Sequence, residues 1–167
     1  MIERLFRNIP EFKGKIRLID QLYRQKRKHA RDLIVHGKYG CVFKLPNIIE
    51  NVGFYIFANG IYEKDTIDFA IEKCSGETYF IDIGANIGSI SIPVCKQLDH
   101  LKTMAIEASP KVYEYLIWNV LQNALANITL VNKALGDNDD VNVDFIILMK
   151  NMVKARWPRF LKDMPSQ

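Results

Sequence analysis

The chain has 167 residues, 49% of them hydrophobic and 25% charged, with a formal net charge of +4 at pH 7. A chain of this length builds one good core plus an appendage, and it shows neither a signal-type N-terminal apolar stretch nor a run near the ~18 apolar residues of a membrane span. Its three cysteines, Cys41, Cys74 and Cys95, are odd in number and not spaced as metal ligands, which excludes a disulfide scaffold and points to thiols in a reducing, cytoplasmic setting.

The basic excess is N-terminal. Residues 1–38 hold 11 Lys/Arg against 4 Asp/Glu, a balance of +7, and the remainder carries −3. Ile16, Ile19, Leu22 and Tyr23 recur at helical spacing and predict a helix over 15–34, with an apolar docking face and a charged face containing Arg24, Lys26, Arg27, Lys28 and Arg31. Such a face can meet an anionic lipid, a nucleic acid or a phosphorylated sugar, but is more often simply solvated, and no nucleic-acid partner is favoured. Short strands are expected at 39–43 and 53–57, and a helix at 63–73.

From residue 79 the pattern alternates. Strands at 79–83, 103–107 and 127–133 are separated by helices at 87–98 and 110–124, the order of a parallel, doubly wound α/β sheet. Pro93 should bend the first helix by removing a backbone hydrogen bond. Ser109 and Pro110 start the second as N-cap and first helical residue. Its core stripe is expected from Val112, Leu116 and Val120 with Leu121 alongside, and Tyr113, Tyr115 and Trp118 as packing residues. The expected organisation is therefore a basic helical arm at 1–38, a Rossmann-like core at 39–149 and a basic tail at 150–167.

Chemistry concentrates where two strands end. Tyr79-Phe80-Ile81-Asp82-Ile83-Gly84-Ala85-Asn86-Ile87-Gly88 joins a buried-strand pattern to a glycine turn, with Gly84 and Gly88 letting a ligand approach the backbone. A dinucleotide loop would need G-x-G-x-x-G to seat a pyrophosphate. Here Asp82 stands at the strand end, repelling phosphate and suiting a cationic ligand. One βα unit on, Glu107 ends the second strand, the position from which an acid meets ribose hydroxyls. His29, His36 and His100 are isolated and read as surface or structural residues; no metal site and no general base is identified. Asp137, Asp139 and Asp140 belong to a solvated turn.

These segments, with Val131-Asn132-Lys133-Ala134-Leu135-Gly136-Asp137 and the lead-in Gly60-Ile61-Tyr62-Glu63, resemble the FkbM-type family of S-adenosylmethionine-dependent methyltransferases over residues 62–145. The resemblance implies that Asp82, Gly84, Ala85, Asn86, Gly88, Glu107 and Ala108 bind S-adenosyl-L-methionine. It also implies O-methylation of a small-molecule or glycan hydroxyl on a sugar, lipid or secondary metabolite. The chain departs from the family after Val143-Asp144-Phe145-Ile146, where no acidic D-x-E-G element follows. That departure leads us to expect a truncated member, natural or from a disrupted reading frame, with an incomplete sheet prone to self-association and activity that is weak at best. Two alternatives stay open: a noncatalytic cofactor- or partner-binding remnant, and another Rossmann-like nucleotide binder.

Overall fold

The computed structural model describes residues 7, 9, 10 and 12–136. The Val143-Asp144-Phe145-Ile146 segment, the tail at 150–167 and the 137–140 turn lie outside the described residues. In chain order the elements are α1 (Lys15–Arg27), β1 (Arg31–His36), β2 (Val42–Asn47), α2 (Asn51–Asn59), α3 (Lys64–Cys74), β3 (Tyr79–Ile83), α4 (Ser91–Gln97), β4 (Lys102–Ile106), α5 (Pro110–Gln122) and β5 (Ile128–Val131). β1 and β2 form an antiparallel hairpin, and β3, β4 and β5 a parallel sheet in that spatial order. The expected α/β class is met, and the three parallel strands fall within two residues of their expected positions.

Three N-terminal expectations need correction. The helix expected to reach residue 34 stops at Arg27, and Arg31–His36 becomes β1, because the β-branched pair Ile34 and Val35 finds a partner strand in register, Val35 opposite Phe43. The strand expected at 39–43 begins only at Val42, after Tyr39 turns the hairpin with a positive φ of 54°. The strand expected at 53–57 is helix α2. Gly53 permits that helix by its lack of a side chain, since a Cβ there would come within 2.1 Å of the Asn47 carbonyl oxygen. The boundary expected at residue 38 falls inside the hairpin turn, between two paired strands.

One core joins the two sheets. Ile19 and Tyr23 of α1, Val35, Phe43 and Leu45 of the hairpin, Phe54 and Phe57 of α2, and Ile87, Ile92, Ala105, Leu116 and Val120 of the parallel unit belong to the same buried cluster. Arg27 fastens α1 to this body: its guanidinium lies 3.8 Å from the centre of the Phe54 ring, donates to the carbonyls of Ile48 and Ile49, and pairs with Asp20. A second cluster of Ile61, Ile67, Val94 and Leu101 packs α3 against α4.

The stripe of α5 is less apolar than expected. Leu116 and Val120 are buried, but Leu121 is 70% exposed, and the inward positions beside them are Asn119 and Asn123. These asparagines, one helical turn apart, act as a surrogate strand for β2. Asn119 Oδ1 accepts from the Lys44 N–H at 2.6 Å, and Asn123 Oδ1 from the Val42 N–H at 2.9 Å. The Asn123 side-chain amide donates back to the Val42 carbonyl, and that of Asn119 to the carbonyl of Ile87. The outer edge of the hairpin is thus satisfied by side chains where a third strand would otherwise be needed. Replacing Asn119 with Ala would leave the Ile87 carbonyl and the Lys44 amide without these partners, at roughly 1–3 kcal/mol for each group. We expect Asn119→Ala to lower the unfolding free energy by about 2–4 kcal/mol in urea denaturation.

Candidate functional site

The site is built at the carboxyl ends of β3 and β4. Their register sets Asp82 opposite Ala105 and Ile83 opposite Ile106, so Glu107, the residue after β4, stands beside the turn that leaves β3. That turn folds back on the end of β4. The N–H groups of Gly84 and Ala85 both donate to the Ile106 carbonyl at 2.9 Å, and Asn86 donates its N–H to Glu107 Oε2 at 2.9 Å. The other Glu107 oxygen accepts from the Ser109 N–H at 2.8 Å. One carboxylate therefore holds two loops, with charge-assisted bonds to backbone. Asn132 extends the network from beyond β5 by donating to the Glu107 carbonyl at 2.7 Å.

The expected helix start at residue 87 is corrected to Ser91. Asn86 and Gly88 adopt φ of 53° and 85°, outside helical geometry, so 86–90 is a run of turns. This alters what the turn can offer a ligand. Asn86 Oδ1 accepts from the Ile87 N–H, and the Gly88 N–H is bonded to the Ala85 carbonyl, both at 2.8 Å. Every N–H from Gly84 to Gly88 is thus already used within the protein. A phosphate-cradling loop needs such groups free.

The two glycines have different tasks. A Cβ on Gly84, whose φ is 78°, would meet nothing within 4 Å, so the exposed backbone there is open to a ligand. A Cβ on Gly88 would lie 2.5 Å from the Ile92 side chain and 3.0 Å from Leu116, so its bareness serves packing of the turn onto the helices. Ala85 is buried and Ala108 half-buried.

Asp82 is a partly buried acid near the end of β3. One of its carboxylate oxygens is buried with no hydrogen-bond partner among the described residues, as is the hydroxyl of buried Ser91. Burial pushes the Asp82 carboxyl above its ordinary value, the nearby Ser91 hydroxyl and amide offset part of this, and the like charge of Glu107 adds to it. Ser91 escaped the sequence reading because a lone serine after a glycine turn carries no periodic signal. A cleft of about 450 Å³ was also missed; it is lined by residues including Tyr55, Asn59, Tyr62 and Glu63. Its Ile61 is buried in the same cluster as Phe80 of β3 and Ile90 of the turn. Only the Gly60-Ile61-Tyr62-Glu63 lead-in had pointed to that region. Among the described residues no group of three or more His, Cys, Asp or Glu side chains is placed to hold a metal ion, and no helix is long and apolar enough to cross a membrane.

Parallel strands, crossover helices and acids at two neighbouring strand ends define a Rossmann-like fold of the methyltransferase type. Residues 34–164 match the TRM5/TYW2 methyltransferase domain, and the chain belongs to that family. It is 32% identical over 110 residues to tRNA(Phe) (4-demethylwyosine(37)-C(7)) aminocarboxypropyltransferase of Methanocaldococcus jannaschii; the match covers 65% of this chain and 40% of that protein. Among solved structures, TYW2 of M. jannaschii in complex with AdoMet is 27% identical, covering 67% of this chain and 47% of the other, with a TM-score of 0.45. TYW2 of P. horikoshii in complex with MeSAdo is 20% identical, covering 62% and 37%, with a TM-score of 0.43.

The family match overturns the FkbM assignment. The segments that carried the resemblance lie mainly at strand ends and in a glycine turn, features that do not distinguish one methyltransferase family from another. The expectation of a small-molecule or glycan acceptor without nucleic acid is overturned with it, since the relative is by name a tRNA-modifying enzyme. The match also runs to residue 164, through the segment read as a tail.

Burial of Asp82 makes the stability of the fold depend on pH. Because its folded pKa lies above the ordinary 3.8, the native state holds this proton more tightly than the unfolded chain. Stability from this group is therefore full below pH 3.8 and is lost as pH rises through the raised value. We expect Asp82→Asn to raise the urea midpoint at pH 7 and to leave it near wild type at about pH 3.5, below that ordinary value.

Proposed function

We propose that this chain binds S-adenosyl-L-methionine at the β3–β4 strand ends and uses it to modify a nucleotide of tRNA. The observation that carries the reading is the full internal use of the 84–88 N–H groups beside two carboxylates. A turn with no free donors and an adjoining negative charge suits a cofactor that has adenosine, a sulfonium and an ammonium group but no phosphate.

The residues present fit that group. Gly84 leaves open space over the backbone. Each Glu107 oxygen is engaged by one backbone N–H and retains acceptor capacity for a ribose hydroxyl. The Asp82 carboxyl, one oxygen of which is buried with no partner among the described residues, would lie beside the ammonium group of the cofactor. In this reading Asp82, Gly84, Ala85, Asn86, Glu107 and Ala108 form the binding surface, while Gly88 supports it through packing. Bound there, the cofactor would supply a carbon activated by its sulfonium. The protein's own contribution is then alignment and exclusion of water, worth up to roughly 7–11 kcal/mol of barrier.

The family is a methyltransferase domain, whereas the relative transfers an aminocarboxypropyl group. Both transfers break a carbon–sulfur bond of one sulfonium, and the carbon facing the acceptor decides between them. Mass spectrometry of nucleosides from tRNA incubated with the full-length enzyme would separate the two products.

Calorimetry with S-adenosylhomocysteine and NAD tests the binding reading. We expect the former to bind and NAD not to bind, Glu107→Ala to weaken binding by roughly 1.5–3 kcal/mol, and Gly84→Val to abolish it by filling the open space. Binding of NAD, or wild-type affinity in the Glu107 variant, would contradict the assignment.

A further inference from the structure

We infer that Arg17, Arg24 and Lys28 form a docking stripe for the sugar–phosphate backbone of structured RNA, a proposal that rests on the tRNA-modifying reading above. The structure separates the basic residues of this segment by what they already do. Lys15 is buried and donates to the Ile9 carbonyl, Arg27 is spent on two carbonyls, a ring and Asp20, and Lys26 lies over the Tyr23 ring. Arg17, Arg24 and Lys28 are exposed, and among the described residues none has an ion-pair partner.

Their spacing of seven and eleven residues returns each to within about 20° of one line along α1 and its C-terminal turn, over roughly 16 Å. Near the end of this line Arg24, Arg27 and Lys28 border a shallow recess of about 200 Å³ with Asp20 and Ile49. Asp20 is the only acid there, and Arg27 already neutralises it. A linear array of unpaired cations matches a polyanion whose charges also run in a line.

An anionic membrane fits this helix less well. Its apolar face, Ile16, Ile19 and Tyr23, is spent on the core. The exposed Leu18 and Leu22 lie roughly 100–140° around the helix from Arg17, so a flat bilayer could not engage both leucines and cations. RNA needs only the cations.

The test uses the full chain and fluorescently labelled total tRNA, with anisotropy measured across a KCl series. We expect wild type to bind, and the triple variant Arg17→Gln/Arg24→Gln/Lys28→Gln to bind at least tenfold more weakly at low salt. Its slope of log affinity against log salt should fall by about 2 to 2.7, at up to 0.9 per lost phosphate contact. A charge-matched control, Lys64→Gln/Lys73→Gln/Lys102→Gln, should change the slope by less than 1, and S-adenosylhomocysteine affinity should be unaltered in both. If the triple variant does not fold, Arg24→Glu alone should still weaken tRNA binding more than Lys73→Glu. Equal losses in stripe and control variants would overturn the stripe while leaving the tRNA reading intact. So would release from phosphatidylserine vesicles with tRNA binding unchanged. Failure of wild type to bind tRNA at any salt would overturn both.

Discussion

The site depends on one carboxylate held at the junction of two loops. Glu107 follows β4 directly, and its oxygens take the N–H groups of Asn86 and Ser109. Through the first bond it closes the β3 turn against the end of β4; through the second it sets the entry to α5, where the Ser109 hydroxyl oxygen faces the Val112 N–H as N-cap. An apolar side chain at 107 would leave both loops without their shared acceptor. The same geometry explains why the turn offers a ligand open backbone and carboxylates but no free N–H donors.

That junction is braced from behind. Asn119 reaches the Ile87 carbonyl in the turn and the Lys44 backbone in the hairpin, so a single side chain links the candidate cofactor loop to the N-terminal sheet. Tyr115 and Lys44 add a second link through Asp32: the tyrosine hydroxyl donates at 2.8 Å and the ammonium lies at 3.3 Å. The N-terminal segment is consequently part of one packed body, with α1 fixed to it by Arg27 and the buried Ile19 and Tyr23.

The parallel unit was legible because its signals reinforce one another. Apolar strands alternated with helical periods, Ser109-Pro110 announced α5, and acids stood at both strand ends. The N-terminal third was not legible, because its local signals conflict with its tertiary pairing. Residues 31–36 continue a helical period but pair with 42–47, and the apolar run at 53–57 has a composition suited to either element. Asn119 and Asn123 could not be read as hairpin partners from α5 alone, since polar residues in a helix ordinarily signal solvent. The candidate site residues share one region, yet their difference in kind, Gly84 open and Gly88 packed, required the backbone. The acceptor was misread for a physical reason: the motif residues gather at two strand ends, and nothing in them encodes what receives a transferred group.

We propose that a phosphate-free adenosine cofactor sits on the junction held by Glu107. A titration of ¹⁵N-labelled protein with S-adenosylhomocysteine tests it most directly. Saturable shifts are expected at the amides of Gly84, Asn86 and Ser109. Unmoved resonances there, with shifts confined to Asn59 and Tyr62 in the cleft between α2 and α3, would contradict it.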